Sequence, residues 1–344
     1  MYGRVGPAGV THQPSLRASV IIPNWNGLGL LRPCLDSLAR QTLSPLTGAS
    51  EVIVVDNGSA DDSVAVLRRE YPWVRVLALA ENRGYAGGCN AGMAAARGEV
   101  LVLLNNDTEA EPDWLALLVE ALERHPEAGI AASRMMLFDR RDTLHSAGDL
   151  MRVDGTGDSR GVWQPYGPPW DQPAWVFGGC GGAMAVRRSV IDQIGAFEER
   201  FFMYCEDVDL NWRAQLAGWK ARYVPEAVVY HHLSATGGGA LASYYVGRNL
   251  LWVIARNYPA GLYRKYRGDI WRAQWRIARE ALRAWRGKAA RARLRGQLAG
   301  LLRLPGWRAE RRRAQGARAG ATPAVSEAYI ESILEGSQAN QEAA

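Results

Sequence analysis

Cysteine is scarce in this 344-residue chain, and the four that occur, Cys34, Cys89, Cys180 and Cys205, form no CxxC pair. That scatter argues against a zinc site and against a disulfide framework, and it fits a reducing cytosol. Long apolar runs are missing too. No stretch approaches the roughly 18 residues a spanning helix needs, and the N-terminus shows no apolar segment of the secretory type. Neither GxGxxG nor a Walker loop occurs, which disfavours dinucleotide enzymes and P-loop NTPases. No internal repeat is visible. Acidic residues are almost absent from one region: between Arg264 and Arg313, 17 Lys or Arg stand against Asp269, Glu280 and Glu310, whereas the whole chain is only +6. A mildly acidic body therefore carries a strongly basic arm. That asymmetry calls for an anionic partner, membrane lipid or nucleic acid.

What is present is a core. Hydrophobic residues make up 48% of the chain, enough for one large domain or two smaller ones. Ala18–Pro23, Glu51–Asp56, Val74–Leu79 and Val100–Leu104 read as buried strands. Helical spacing fills Leu28–Gln41, a stretch capped by Asp61 or Asp62 and ending near Glu70, and Ala91–Arg97. Strands alternating with helices through short links predict an α/β fold with a mostly parallel sheet. A helix is expected from Pro112 to about His125, and another from Phe201–Arg213 onward. Short strands are expected at Lys220–Val224 and Ala227–His231, and the Gly-, Pro- and Trp-rich stretch 139–175 reads as an excursion or lid.

Chemistry concentrates where these strands end. Val100–Leu104 stops at Asn105, Asn106 and Asp107, and in open α/β sheets ligands bind at the carboxyl ends of strands. One carboxylate beside two carboxamides is a hard-oxygen set suited to Mg²⁺ or Mn²⁺, although a polar turn would use the same residues. Asp56 ends its strand in the same way and can accept bonds from a base or ribose, or merely cap a turn. The glycine-rich connection Asn82–Asn90 can offer backbone N–H groups to phosphate, or serve as a tight turn. Glu206, Asp207 and Asp209 open a helix behind the apolar lead-in Phe201–Tyr204. They can serve the helix terminus, with Asp209 and Arg213 paired at i,i+4, or a desolvated carboxylate among them can act as a base. His231 and His232 close an apolar strand ahead of Ser234 and Gly237–Gly239, where a neutral imidazole can join a metal shell.

Taken in order, Val20–Gly27, Val54–Ser59, Asn82–Asn90, Asn105–Asp107, Glu206–Asp209 and His231 resemble the motifs of family-2 glycosyltransferases of GT-A fold, most closely the bacterial rhamnosyltransferase-like branch. The resemblance covers roughly residues 18–257. It implies a Rossmann-like nucleotide-diphospho-sugar transferase domain with flanking helices. Pro23 and Asp56 would line base and ribose, with Arg83 and Asn90 nearby. Asn24, Asn57, Asn105 and Asn106 would complete the nucleotide-sugar set. Asn105 replaces the first acid of the family's DxD motif, which leaves Asp107 as chief ligand of Mg²⁺ or Mn²⁺. Asp207 matches the catalytic base, with Glu206 beside it. His231, or His232 in its stead, matches a histidine near metal and diphosphate, and Arg248-Asn249 resembles a pair found beyond it in many relatives. The implied reaction is inverting transfer of a sugar, rhamnose favoured, from a dTDP- or UDP-linked donor to a hydroxyl of a cell-surface or lipid-linked glycan. The rival from another class is a non-catalytic nucleotide-sugar-fold binding protein tethered by its basic arm.

On this reading the chain divides into a flexible lead-in 1–17, a catalytic domain 18–257, a basic helical region 258–318 and a poorly ordered tail 319–344, with a short helix near Ser326–Leu334. The catalytic domain would comprise a nucleotide half of about 18–110 and an acceptor half of about 111–257. In the basic region Trp271, Trp275, Ala278, Leu282 and Trp285 share one helical face, flanked by Arg272, Arg276, Arg279, Arg283 and Arg286. That face is expected to lie on an anionic membrane surface, with packing on the body or nucleic-acid binding as alternatives. The protein would then be cytoplasmic and peripheral on the inner face of the membrane.

Overall fold

The run ending at Asn105 forms a strand with every side chain buried, and the sheet grows outward from it. A computed structural model describes residues 16–233, 238–317 and 324–336; residues 1–15 of the expected lead-in, Ser234, Gly237 and parts of the tail lie outside them. The first half alternates β1 (Ala18–Asn24), α1 (Leu28–Ala39), β2 (Ser50–Asp56), α2 (Ser63–Glu70), β3 (Val74–Ala78), α3 (Gly84–Ala95) and β4 (Val100–Leu104). There follow β5 (Thr108–Ala110), α4 (Trp114–Arg124), β6 (Ala128–Leu137), β7 (Leu144–Ala147), β8 (Asp149–Met151), β9 (Gly157–Ser159), β10 (Ala174–Val176) and β11 (Ala183–Arg187). The remaining elements are α5 (Arg188–Ile194), α6 (Glu206–Leu216), β12 (Lys220–His231), α7 (Gly239–Asn257), α8 (Ala260–Arg283), α9 (Lys288–Ala317) and α10 (Glu327–Ser332).

The main sheet runs β10-β12-β6-β11-β4-β1-β2-β3, with β5 on β12 and β7 on β6. β3, β2, β1 and β4 are parallel, as short strand–helix alternation requires. Beyond β4 the expectation of a mostly parallel sheet fails. β11 enters antiparallel between β4 and β6, while β12 runs parallel to β6 and antiparallel to β5 and β10. The sheet is therefore mixed. The two strands expected at 220–231 are one strand, its register shifted between Val224 and Val228, where Pro225 supplies no N–H. The 139–175 excursion is no free lid. β7 and β10 join the sheet, and Leu144, Ala147 and Met151 are fully buried.

Side chains alternate across the strands, as a two-sided core demands. Val20, Ile22, Val52, Val54, Val102 and Leu104 face Leu31, Leu35, Leu67 and Trp114 of α1, α2 and α4. Ile21, Ile53, Val55, Leu101 and Leu103 face Cys89 and Met93 of α3, Val190 of α5 and Leu210 of α6. A third core joins Trp212 and Phe201 to Leu250–Ala255 of α7, Tyr266 and Ile270 of α8, Leu304 and Trp307 of α9, and Ile330 and Leu334. The helical C-terminal region is thus packed on the α/β body. Of the expected loose tail, the described residues 324–336 dock as well: Tyr329 donates to Gln215, and Glu335 bridges to Arg152.

The glycine-rich turn is the clearest departure from expectation. The helix predicted from Ala91 begins at Gly84, so the glycines lie mostly inside it. They permit close approach: a Cβ on Gly92 would sit 2.3 Å from Ile21 Cγ2, and one on Gly88 would sit 3.2 Å from Pro23 Cβ.

Candidate active site

Parallel β1, β2 and β4 deliver Asn24, Asp56 and Asn105–Asp107 to one rim. Asn24 accepts from Asn106 Nδ2 at 2.8 Å and donates to Ser63 at 3.1 Å, so these two carboxamides tie the strand ends together. Asp56 accepts from the Ser59 amide at 3.1 Å through Oδ2. Its buried Oδ1 has no partner among the described residues, an arrangement suited to a ligand donor. Asn57 grips the neighbouring turn, accepting from the Arg83 amide (2.9 Å) and donating to the Gly84 carbonyl (2.8 Å). Pro23 lies under Gly88. Arg83 pairs with Glu199 at 2.7 Å, and Asn90 bonds both ways with the Phe197 backbone. Arg83 and Asn90 therefore meet on the 197–199 segment.

β12 brings the histidines to the same rim. His231 Nε2 stands 3.2 Å from Asp107 Oδ1, and Asn105 Nδ2 lies 3.5 Å from the same nitrogen. His232 turns away: its amide donates to the Asp107 carbonyl, while its ring stacks on Phe138. Of the two, His231 is the one beside the carboxylate. His145, which the sequence reading passed over, lies with Nδ1 3.1 Å from His231 Nδ1. Burial, then the neighbouring His231, pushes the His145 imidazole down to about 4. It is neutral at ordinary pH. Nothing local in the sequence marks His145; only the pairing of β6 with β7 carries it there.

Among the described residues no group of three or more His, Cys, Asp or Glu could by itself hold a metal ion. The pair at hand nevertheless fits one. Neighbouring ligands of an octahedral ion bound at about 2.1 Å stand roughly 3.0 Å apart, close to the 3.2 Å between Asp107 Oδ1 and His231 Nε2. Mg²⁺ and Mn²⁺ commonly take few protein ligands and complete their shell with phosphate and water.

Glu206 and Asp207 begin α6, and the loop before β11 joins them to the rim. The Gly181 amide donates to Asp207 Oδ2 at 2.8 Å, and the next residue's carbonyl, on Gly182, accepts from the Asn105 amide at 2.9 Å. Asp207 and the Asn105–Asp107 stretch are therefore one dipeptide apart. A Cβ on Gly181 would lie 3.2 Å from Asp207 Oδ2, so glycine keeps that carboxylate approachable. Burial raises the Asp207 carboxyl above its ordinary range. Glu206 is raised well above it by burial and by the Asp207 charge, and its buried Oε2 has no hydrogen-bond partner among the described residues. Two further residues were not legible in sequence. Tyr85 donates to the Gly181 carbonyl, and Asp149, pushed up to about 8 by burial and by Asp207, lies beside the same glycine loop. Asp209, by contrast, is structural. Fully buried, it pairs with Arg213 at 2.8 Å, the expected i,i+4 contact, and with Arg256 at 3.1 Å.

Comparison with known proteins bears on the family and the fold. Residues 19–195 match the family described as glycosyl transferase family 2. An N-acetylglucosaminyl-diphospho-decaprenol L-rhamnosyltransferase of Mycobacterium tuberculosis is 33% identical over 236 residues, spanning 61% of this chain and 74% of the relative. A pre-mycofactocin glycosyltransferase of the same organism is 30% identical, over 65% of this chain and 44% of its own length. Among solved structures, that of GalNAc-T7 with UDP, GalNAc and Mn2+ superposes with a TM-score of 0.58 at 18% identity, over 71% of this chain and 48% of the other. That of S. aureus TarS superposes with a TM-score of 0.51, also at 18% identity, over 71% of this chain and 40% of the other. These two likenesses concern the fold alone. Family and fold together set aside the non-catalytic reading: the chain belongs to glycosyl transferase family 2 and is a glycosyltransferase.

Proposed function

We propose that this enzyme transfers a sugar from a nucleoside-diphosphate donor to an acceptor hydroxyl with inversion, using Asp207 as general base. The observation that carries the reading is the Gly181–Gly182 dipeptide, which touches Asp207 on one side and the Asn105–Asp107 rim on the other. Asp56, with its unpartnered Oδ1, would receive base or ribose donors, with Pro23, Asn24, Asn57, Arg83, Asn90, Asn105 and Asn106 framing the nucleotide. Asp107 and His231 would hold Mg²⁺ or Mn²⁺. When bound, that ion supplies positive charge against the charge growing on the departing diphosphate. His231 would keep its Nε2 lone pair free for that purpose by donating its Nδ1 proton to His145. Asp207 accepts the proton of the acceptor hydroxyl as that oxygen attacks the anomeric carbon from the face opposite the diphosphate. Glu206, raised by burial and by the Asp207 charge, lies beside it.

Rhamnose is the favoured sugar, delivered from dTDP or UDP, because the mycobacterial relative carries that name. A lipid-linked or surface glycan is the favoured acceptor on the same ground. The basic arm suits work at an anionic membrane surface on the inner face of the cell membrane. No helix among the described residues is long and apolar enough to cross a membrane, yet Trp275, Leu282 and Trp285 are 66%, 51% and 58% exposed. The test is transfer by Asp207→Ala. Removal of a general base is expected to lower kcat by about 10²–10⁴-fold, and transfer at the unaltered rate would remove Asp207 from this role.

A further inference from the structure

The turn that delivers Glu206 and Asp207 has an unfavourable backbone. Phe202, Tyr204 and Cys205 adopt φ of +65°, +64° and +66°, and none is glycine. A residue with a Cβ rarely adopts positive φ, so the conformation lasts only where surrounding contacts over-determine it. Those contacts come from α7. Asn249 is fully buried, and its Nδ2 lies within reach of three acceptors of the turn: the carbonyls of Phe201 at 3.0 Å, Met203 at 2.9 Å and Tyr204 at 2.6 Å. Arg248 adds bonds to the carbonyls of Arg200 (3.0 Å) and Phe201 (2.8 Å). Its Nε also donates to Asn249 Oδ1 at 2.8 Å, which fixes the way the carboxamide faces. On the far side the Phe202 carbonyl accepts from the Ala86 amide at 3.1 Å, and Gly84 has no Cβ where one would strike that same oxygen.

We propose that Asn249, seconded by Arg248, is the positioning residue of the catalytic base. Its carboxamide gathers the carbonyls of the left-handed turn and so aims the first turn of α6 at the acceptor hydroxyl. The inference rests on Asp207 being that base. A carboxamide suits the task because its two N–H groups can be shared among carbonyls without introducing charge; a carboxylate there would face them with acceptors only. The grip also reaches the basic region. Arg200, at the start of the turn, lies 3.9 Å over the Trp307 ring of α9 and pairs with Glu310 at 3.0 Å, so α7 and α9 hold the turn jointly.

The experiment compares full-length Asn249→Leu, Arg248→Gln and Asp207→Asn with the parent enzyme. It reads kcat, donor KM and Mn²⁺-dependent affinity for the nucleoside diphosphate by calorimetry. A misplaced base should cost kcat about tenfold to a hundredfold in Asn249→Leu and less in Arg248→Gln, with donor KM and nucleotide affinity unchanged within about twofold. Unchanged kcat in a folded Asn249→Leu protein would overturn the proposal. So would an equal fall of kcat and nucleotide affinity, which a merely structural residue would produce. If Asn249→Leu does not fold, Arg248→Gln decides by the same split. Asp207→Asn separates the two levels: retained transfer there overturns the base itself, whereas an inactive Asp207→Asn beside a fully active Asn249→Leu overturns only the positioning role.

Discussion

His231 presents two nitrogens, and the fold engages both, Nε2 at Asp107 and Nδ1 at His145. Partners that orient a ligating histidine typically contribute 10–100-fold to metal affinity. His145→Ala should therefore weaken Mn²⁺ binding, measured by electron paramagnetic resonance with nucleoside diphosphate present, by about that factor; unaltered binding would deny His145 the role. The carboxyls give predictions in pH. Asp207 must be ionised to accept a proton, and burial raises it, so the acid limb of the kcat profile should lie above the ordinary carboxylate range. A limb near pH 4 would contradict this. Asp149 acts on stability instead. Its carboxyl stands at about 8 in the folded chain against 3.8 as a free side chain. The unfolded chain therefore loses that proton first as pH rises. The stability Asp149 contributes is complete below about pH 4 and drains away up to about pH 8. Asp149→Asn should show a flatter fall of Tm across that window, with its advantage over the parent growing toward pH 8. Parallel Tm curves would show that Asp149 is not so perturbed.

At the scale of elements, the parallel strands were legible because each is a continuous apolar run stopped by polar residues, as Val100–Leu104 before Asn105 shows. The same property made Asp56 and Asp107 stand out. The α3 glycines were not legible, since glycine reads alike in a loop and in a helix packed hard on a sheet. Gly92 illustrates the second case. Gly92→Ala would place a methyl 2.3 Å from Ile21 Cγ2, a stiff, fully buried side chain, and such overpacking costs about 1–3 kcal/mol. Urea denaturation should register that loss, whereas a gain in stability would mean that the helix–sheet spacing can yield. The antiparallel β11 also escaped sequence reasoning. Its glycine-rich approach gives no sign of direction, yet that approach is what joins Asp207 to Asn105. His145 escaped for a related reason, because its partner His231 lies 86 residues away in the chain; the Arg248-Asn249 pair stood out by resemblance, but its grip on carbonyls 45 to 48 residues away did not.

At the scale of the whole molecule, the basic region has two faces. Tyr266, Ile270 and Leu304 are buried against the body, while Trp275, Leu282 and Trp285 look outward among arginines. The helical periodicity marked the face that is exposed, and packing on the body, weighed in the sequence only as its alternative, lies behind it. Each arginine near an anionic bilayer is attracted by about 1 kcal/mol. Substituting Trp275, Leu282 and Trp285 by Ser should release the protein from anionic vesicles while leaving transfer to a soluble acceptor intact. Undiminished co-sedimentation would count against the interfacial face. In the proposed mechanism one rim would join nucleotide, metal and base. It is tested most directly by thermal shift of the parent protein and Asp107→Ala with dTDP or UDP, each with and without Mn²⁺. A ligand that binds only the folded state raises Tm. The parent should show stabilisation that depends on Mn²⁺ and is lost in Asp107→Ala. Equal shifts in both proteins, or no shift of the folded parent with any nucleotide, would contradict it.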